Sequence, residues 1–308
     1  MKPRISVIIC AHNPRPDYLR RVLGGLRAQT LPQDQWELLL IDNASGDKLA
    51  ETWDLSWHPQ AKHFREEELG LTPARLRGIM EANADLLVFV DDDNVLDPDY
   101  LKAAIQISCE YPFLGTWGGT IRGEFEIEPE PWARPLLGFL GIREPRVPIW
   151  SNNPGDGQAE PCGAGLCVRA TVARTYADQL AAGSPRRKLD RRGSALSSGG
   201  DTDLILTSCD LGQGFGSFPQ LTMTHLIPAS RLQLDYLIRL IQGITASGVL
   251  LRYLRFGDLS PEPSRYRVGG RYVLKYLFEG RRQAQIYLAM NRAVQVGIQA
   301  ARDLGANR

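Results

Sequence analysis

The 308-residue chain carries 43% hydrophobic residues, enough to build a substantial core in one large domain or in a domain with an extension. Its formal net charge of +1 gives no general reason to expect nucleic acid as a partner. The five cysteines, at positions 10, 109, 162, 167 and 209, are odd in number and lack CxxC spacing, which argues against a disulfide framework or a zinc site and fits a reducing cytosol.

Met1-Lys2-Pro3-Arg4 leads into only a short apolar run, so neither a signal peptide nor a membrane anchor is expected there. Residues 5–10 read as a buried strand. Residues 18–29 read as a helix, with Leu19, Val22, Leu23 and Leu26 on one face and Asp17 as its N-cap. A second strand is expected over 36–41 and a short third over 61–65. The spacing of Ala74, Leu76, Ile79 and Met80 predicts a helix over 72–83. Residues 86–90 form another apolar run, followed by a helix over 100–109 and a strand over 116–121. This alternation of periods is the mark of a βαβ architecture with a mostly parallel sheet.

From 124 to 157 the chain is rich in Pro, Gly and Trp. A connection this long in a compact domain is either functional or disordered, and its aromatics argue against disorder. The basic stretch 184–193 reads as a loop that could approach an anionic substrate or a phospholipid surface. Residues 232–253 and 272–304 read as helices with broad apolar faces between arginines. Neither is expected to be long and uncharged enough to span a bilayer; each could lie on one or pack on its own domain.

Three acids, Asp91, Asp92 and Asp93, stand directly behind the run Leu86-Leu87-Val88-Phe89-Val90. That puts them at the carboxyl end of a strand, where open α/β sheets bind ligands. Two like charges about 4 Å apart repel by roughly 4 kcal/mol at an effective dielectric near 20, so the cluster needs strong solvation or a cation. A hard divalent metal carrying a phosphate would supply one, and a solvated strand-to-loop junction is the plainer alternative. Two other strands also turn polar at their tips, at Ala11-His12-Asn13 and at Asp42-Asn43-Ala44-Ser45. A site built across a parallel sheet edge requires several such tips together.

The segments Ser-Val-Ile-Ile-x-x-His-Asn, Leu-x-x-Gln-Thr, Trp-Glu-Leu-Leu-Leu-Ile-Asp-Asn-Ala-Ser-Gly-Asp, Ala-Arg-x-x-Gly-Ile and Phe-Val-Asp-Asp-Asp, in this order, resemble the family 2 glycosyltransferases. The resemblance runs from about residue 5 to residue 228. It implies an α/β fold of the GT-A type, Rossmann-like, with a mostly parallel sheet and helices on both faces. A catalytic domain over 1–228 and a C-terminal helical extension over 229–308 follow. It further implies an inverting transfer from a nucleotide-sugar, with a UDP-sugar favoured, to a saccharide or lipid-linked acceptor in polysaccharide or glycoconjugate synthesis.

Carried over residue by residue, the resemblance gives Ala11, His12 and Asn13 to the nucleoside and Asp42 to the base edge, where a carboxylate can accept from a ring N–H. Arg75 is given to the base or diphosphate, although Leu76 stands where an Asn is common. Asp91 and Asp92 fall to the donor and Asp93 to the metal, a Mn²⁺ or Mg²⁺ that would neutralise the diphosphate. His225 reads either as a further group for the metal or diphosphate or as a core histidine. On the acceptor side, Gly163, Ala164 and Gly165 resemble a small-residue turn that lets backbone approach a sugar closely. Asp201 matches the general base that takes the acceptor proton; Asp203 is an alternative base, although its position in the family favours a structural or capping role. Gly200 replaces the Glu that precedes the base in the family, which bears on acceptor contacts.

Two other classes compete. A phosphatase of the haloacid dehalogenase type also sets an aspartate pair behind an apolar strand, but it leaves the earlier tips unexplained. A sugar-nucleotide-binding protein without catalysis would keep the donor pocket and lack a working Asp201. The expected location is cytoplasmic, with peripheral contact at the inner face of the membrane open to the C-terminal helices.

Overall fold

The computed structural model describes residues 2–180, 182–191 and 196–306. In chain order the elements are β1 (Ile5–Ala11), α1 (Pro16–Arg27), β2 (Trp36–Asn43), α2 (Leu49–Thr52), β3 (Ala61–Glu66), α3 (Leu71–Glu81), β4 (Leu86–Asp91), β5 (Asn94–Leu96) and α4 (Tyr100–Glu110). They continue with β6 (Leu114–Phe125), β7 (Ile149–Ser151), β8 (Cys167–Arg169), α5 (Ala170–Gln179), α6 (Gly200–Asp210), β9 (Gly214–Ile227), α7 (Leu234–Phe256), α8 (Arg265–Glu279) and α9 (Arg281–Ala306). The contacts divide the chain into two units, residues 1–181 with 201–229 and residues 182–200 with 230–308. The basic stretch 184–193 thus groups with the C-terminal helices, and its Arg192 and Gly193 lie outside the described residues.

In the first unit the strands form one mixed sheet in the order β3-β2-β1-β4-β8-β6-β9-β5, with β7 on β9. The nucleotide-type half, β3-β2-β1-β4, is parallel throughout. Strand β8 then runs antiparallel between β4 and β6, and β6 pairs in parallel with β9. Alternate side chains of β1 enter opposite layers, as a period of two requires. Ile5, Val7 and Ile9 pack with Leu19, Val22, Leu101 and Ala104 of α1 and α4. Ile8 packs on the other face with Ala74, Val172 and Leu204 of α3, α5 and α6.

Helix α1 begins two residues before its predicted start. Pro16 occupies the first turn and Arg15 is the N-cap, so Asp17 lies inside that turn rather than capping it. There Asp17 pairs with Arg15 at 2.7 Å. The predicted long loop is partly ordered: β6 runs on to Phe125, a 3₁₀ segment covers Arg134–Leu140, and β7 adds to β9.

The second unit holds α7, α8 and α9. Helices α7 and α9 approach closely because Gly297 lacks a side chain: a Cβ there would press on Ala246 and Val249. Two expectations about this region are corrected. The single helical stretch 272–304 is two helices, broken at Gly280, whose φ of +88° is in the left-handed region. Helix α7 contains a window of mean hydropathy 1.3 that is long and apolar enough to cross a membrane by length and composition, with 33% of that window buried in the protein. The uncharged run between Arg239 and Arg252 accounts for it.

Candidate functional site

Strand register brings the predicted donor residues to one level. Ala11 pairs across from Asp42, Asp42 from Arg65, and Cys10 from Asp91, so the tips of β1, β2 and β4 open on the same sheet edge. Just past these tips the backbone enters left-handed conformations at two non-glycine residues, Asn13 (φ 47°) and Ala44 (φ 52°). For an alanine this costs on the order of 1–2 kcal/mol, and such outliers persist only where surrounding bonds hold them.

Those bonds are present. The Asp42 carboxylate accepts from Ser45 N at 2.9 Å, Leu49 N at 3.2 Å and Arg65 Nη1 at 2.8 Å. Burial pushes this carboxyl up, but the bonds from Ser45, Leu49 and Arg65 outweigh it and carry the group below the usual carboxylate range. The Ser45 hydroxyl is a further donor, so the roughly four lone-pair sites of the carboxylate are largely taken within the protein. Asn13 ties the two turns together, its N–H donating to Ser45 Oγ at 3.0 Å and its Oδ1 accepting from Gly46 N at 2.9 Å. His12 Nδ1 faces the Asn43 carbonyl at 2.7 Å and Nε2 faces the Asn13 amide at 3.0 Å, which assigns the ring proton to Nδ1.

The acid triplet separates by environment. Asp91 and Asp92 are half-buried, whereas Asp93 is buried where the chain turns into β5. Strand β5 runs antiparallel to β9 and pairs Asn94 with His225, which sets His225 Nε2 3.4 Å from Asp93 Oδ2. His225 Nδ1 lies 2.9 Å from the Leu140 carbonyl and so carries its proton there. In a neutral ring Nε2 then presents a lone pair toward a carboxylate oxygen, and two acceptors face one another. A cation between them would relieve this: the carboxylate suits Mn²⁺ or Mg²⁺, and the imidazole favours a transition metal, so the pair fits Mn²⁺ better than Mg²⁺. Among the described residues no group of three His, Cys, Asp or Glu side chains could hold a metal. Magnesium-type sites commonly use one or two carboxylates and take the rest from phosphate and water, a part that Asp93 fits.

The predicted base stands elsewhere in the same unit. Asp201 opens α6, and its Oδ1 is in close contact with Arg75 Nη1 from α3. The Arg75 side chain is 4% exposed and that of Asp201 24%, so an almost fully buried cation holds a carboxylate that still reaches solvent. The guanidinium also lies 5.7 Å from the Phe89 ring centre. Arg75, expected at the base or diphosphate, therefore contacts Asp201 directly. Gly163 explains the small-residue turn: a Cβ there would overlap the Asp201 carboxylate. Gly165 has φ +69°, and its carbonyl accepts from Tyr100 Oη at 2.6 Å. Ala164, between them, packs against the core. Where a side chain at Gly200 would project, the buried Asp190 carboxylate fills the space. Asp203 is fully buried, in keeping with a structural position.

One acid was missed by sequence reasoning. Glu160 accepts from Thr202 Oγ1 at 2.8 Å, and its backbone carbonyl is in close contact with Arg143. Burial pushes its carboxyl above the usual range, and nearby Asp201 adds to this, against opposing effects of Thr202 and Arg143. The available signal was its place in Glu160-Pro161-Cys162-Gly163, immediately before the small-residue turn. Cys162 senses both halves of the site: burial raises its thiol first, Arg143 opposes, and Asp201 and Asp91 raise it further.

Comparison with known proteins bears on this arrangement. The model of the family described as Glycosyl transferase family 2 matches residues 6–158. EpsH of Bacillus subtilis (strain 168) is 28% identical over 107 residues, 34% of this chain and 30% of that protein. The succinoglycan biosynthesis protein ExoW of Rhizobium meliloti (strain 1021) is 28% identical over 128 residues, 39% of each chain. The chain thus spans well under half the length of these curated relatives. Among solved structures, the mannosyltransferase PcManGT from Pyrobaculum calidifontis, in complex with GDP-Man and Mn²⁺, is similar with a TM-score of 0.57 and 18% identity, over 99% of this chain and 76% of that one. This likeness concerns the fold, which is of the GT-A kind. Glu160, Asp201 and His225 all lie beyond the part matched by the family model.

Proposed function

The chain belongs to glycosyl transferase family 2, and on that basis we propose that it moves a sugar from a nucleotide-sugar to a hydroxyl of a saccharide or lipid-linked acceptor, with inversion. The observation that carries this reading is the shared level of Ala11, Asp42 and Asp91 at one parallel sheet edge. Asn13 and Asp42 stiffen the nucleoside turn, and a base N–H would share the Asp42 carboxylate with the donors that already hold it. Asp91 and Asp92 face the donor ribose and diphosphate. Asp93 and His225 are the residues that would hold a Mn²⁺ or Mg²⁺ ion, which when bound supplies positive charge to the diphosphate leaving group.

Asp201 takes the proton of the acceptor hydroxyl as its oxygen attacks the anomeric carbon opposite the nucleotide. General base catalysis of this kind typically contributes about 10²- to 10⁴-fold. Arg75 and the side-chain-free Gly163 fix where that carboxylate stands. Polysaccharide or glycoconjugate synthesis is the process such a transfer would serve, and the name of ExoW supports it.

The test is a panel of UDP-, GDP- and dTDP-sugars with Mn²⁺, scored for binding and for release of the nucleotide. Metal-dependent binding of one donor class with sugar transfer is the expected result. Release of free phosphate in place of transfer would favour the phosphatase, and binding without turnover the silent binding protein.

A further inference from the structure

Helix α8 differs from α7 and α9 in that none of its residues is buried. It nevertheless carries large apolar side chains: Tyr266 is 94% exposed, Phe278 81% and Leu277 68%, with Val273 and Leu274 exposed as well. A sixth, Tyr276, is 51% exposed and stands apart from them, stacked on Tyr272; the five are not scattered. At about 100° per residue they fall on one arc of roughly 140°, together with Gly270. The residues that are half-buried, Val268, Tyr272 and Lys275, fall on the opposite side of the helix. The helix therefore uses one face within its own unit, where it packs with α9, and leaves the broader apolar face uncovered.

Charge identifies what would cover that face. From Arg265 to Arg282 there are six basic residues against one acidic residue, Glu279, a net +5 in a chain whose total is +1. Lys275 and Glu279 pair with each other at 2.7 Å, which leaves Arg265, Arg267 and Arg271 as the basic excess on α8 itself. On the same projection Arg271 stands just outside the arc, and Arg267 within its edge, between Leu274 and Phe278. A second copy of the same helix would bring like charges together. An apolar arc edged by arginines, with aromatic side chains at both ends, matches an anionic bilayer surface, where the rings sit at headgroup depth.

We propose that α8 lies in the interface of an anionic phospholipid bilayer and docks the protein there, with Tyr266, Val273, Leu274, Leu277 and Phe278 entering the acyl boundary and the arginines meeting lipid phosphates. This narrows the expected membrane contact to one helix face. It is independent of the transfer reading, because vesicle binding is measured without nucleotide and donor binding without lipid.

The experiment is co-sedimentation of the full chain with vesicles of phosphatidylcholine alone and of phosphatidylcholine with phosphatidylglycerol, at low and high salt. The result expected is binding to the anionic vesicles only, weakened by salt, and falling about five-fold for each of Arg267→Ala and Arg271→Ala. Leu277→Glu with Phe278→Glu abolishes it while leaving thermal unfolding unchanged, since both side chains project to solvent. Equal binding to both vesicles, no binding to either, or full binding by the Leu277→Glu, Phe278→Glu variant would overturn the proposal. So would concentration-dependent self-association that the same two substitutions abolish in a chain that ignores vesicles; the face would then be an interface between copies.

Discussion

Gly163→Ala is the smallest change that reaches the candidate base without touching it. The added methyl would overlap the Asp201 carboxylate, which cannot simply retreat because Arg75 holds its other side. Forcing a methyl into a packed site costs typically about 1–3 kcal/mol, met here by moving the turn around Gly163 or the Asp201 side chain. If that energy displaces the carboxylate from the acceptor, each 1.36 kcal/mol is about tenfold in rate, giving a loss of roughly 5- to 150-fold. Steady-state transfer at saturating donor, with thermal unfolding measured in parallel, reads both consequences. Gly165→Ala is the comparison: its φ of +69° makes the change costly to the fold, and a Cβ there meets the Tyr100 hydroxyl rather than Asp201. A Gly163→Ala enzyme with unaltered turnover would refute the claim that the Asp201 position matters.

Two further outcomes are expected. Asp93→Asn and His225→Gln each weaken Mn²⁺-dependent nucleotide binding by about ten-fold or more, read by calorimetry with and without chelator; equal affinities would remove the pair from the metal site. Asp42 and Glu160 give opposite pH signatures in urea unfolding. The folded Asp42 carboxyl is depressed, so its contribution is present above the unfolded value, roughly 3.9, and is lost as pH falls through the folded one. The folded Glu160 carboxyl is raised, so its contribution is full below the unfolded value, about 4.3, and is lost as pH rises through the folded one. Asp42→Asn should flatten the acid side of the stability profile and Glu160→Gln the decline above it; unchanged slopes in either variant contradict the assigned environment.

Much of the parallel half of the sheet was legible because its signals are local. An apolar run such as Leu86-Leu87-Val88-Phe89-Val90 followed by acids states both the strand and the edge on which it opens. The antiparallel insertion of β8 between β4 and β6 was not legible, since a three-residue strand carries no period and its pairing is decided by distant chain. Asp17 looked like a cap by composition, but Pro16 fits the first turn better and moved the start. The membrane-length window of α7 is hidden in the sequence by the arginines at both ends of its uncharged centre, Arg239 and Arg252.

At the site, the donor tips were readable as motif positions, while their partnerships were not. No spacing announces that Arg75 of α3 meets Asp201 of α6, or that Asp190 fills the space beside Gly200. Those are tertiary facts, as is the approach of His225 to Asp93 through the pairing of β5 with β9. Glu160 was passed over because it sits in an irregular segment, where function leaves no periodic trace.

The most direct test of the account is Asp201→Asn, assayed separately for donor binding and for transfer. The substitution leaves the buried Arg75 without its carboxylate, so a stability loss of about 1–3 kcal/mol is expected and the assays belong well below the unfolding temperature. The expected result is donor binding close to that of the unaltered chain with transfer reduced about 10²- to 10⁴-fold. Full transfer by the Asp201→Asn chain would contradict the central claim that this carboxylate takes the acceptor proton.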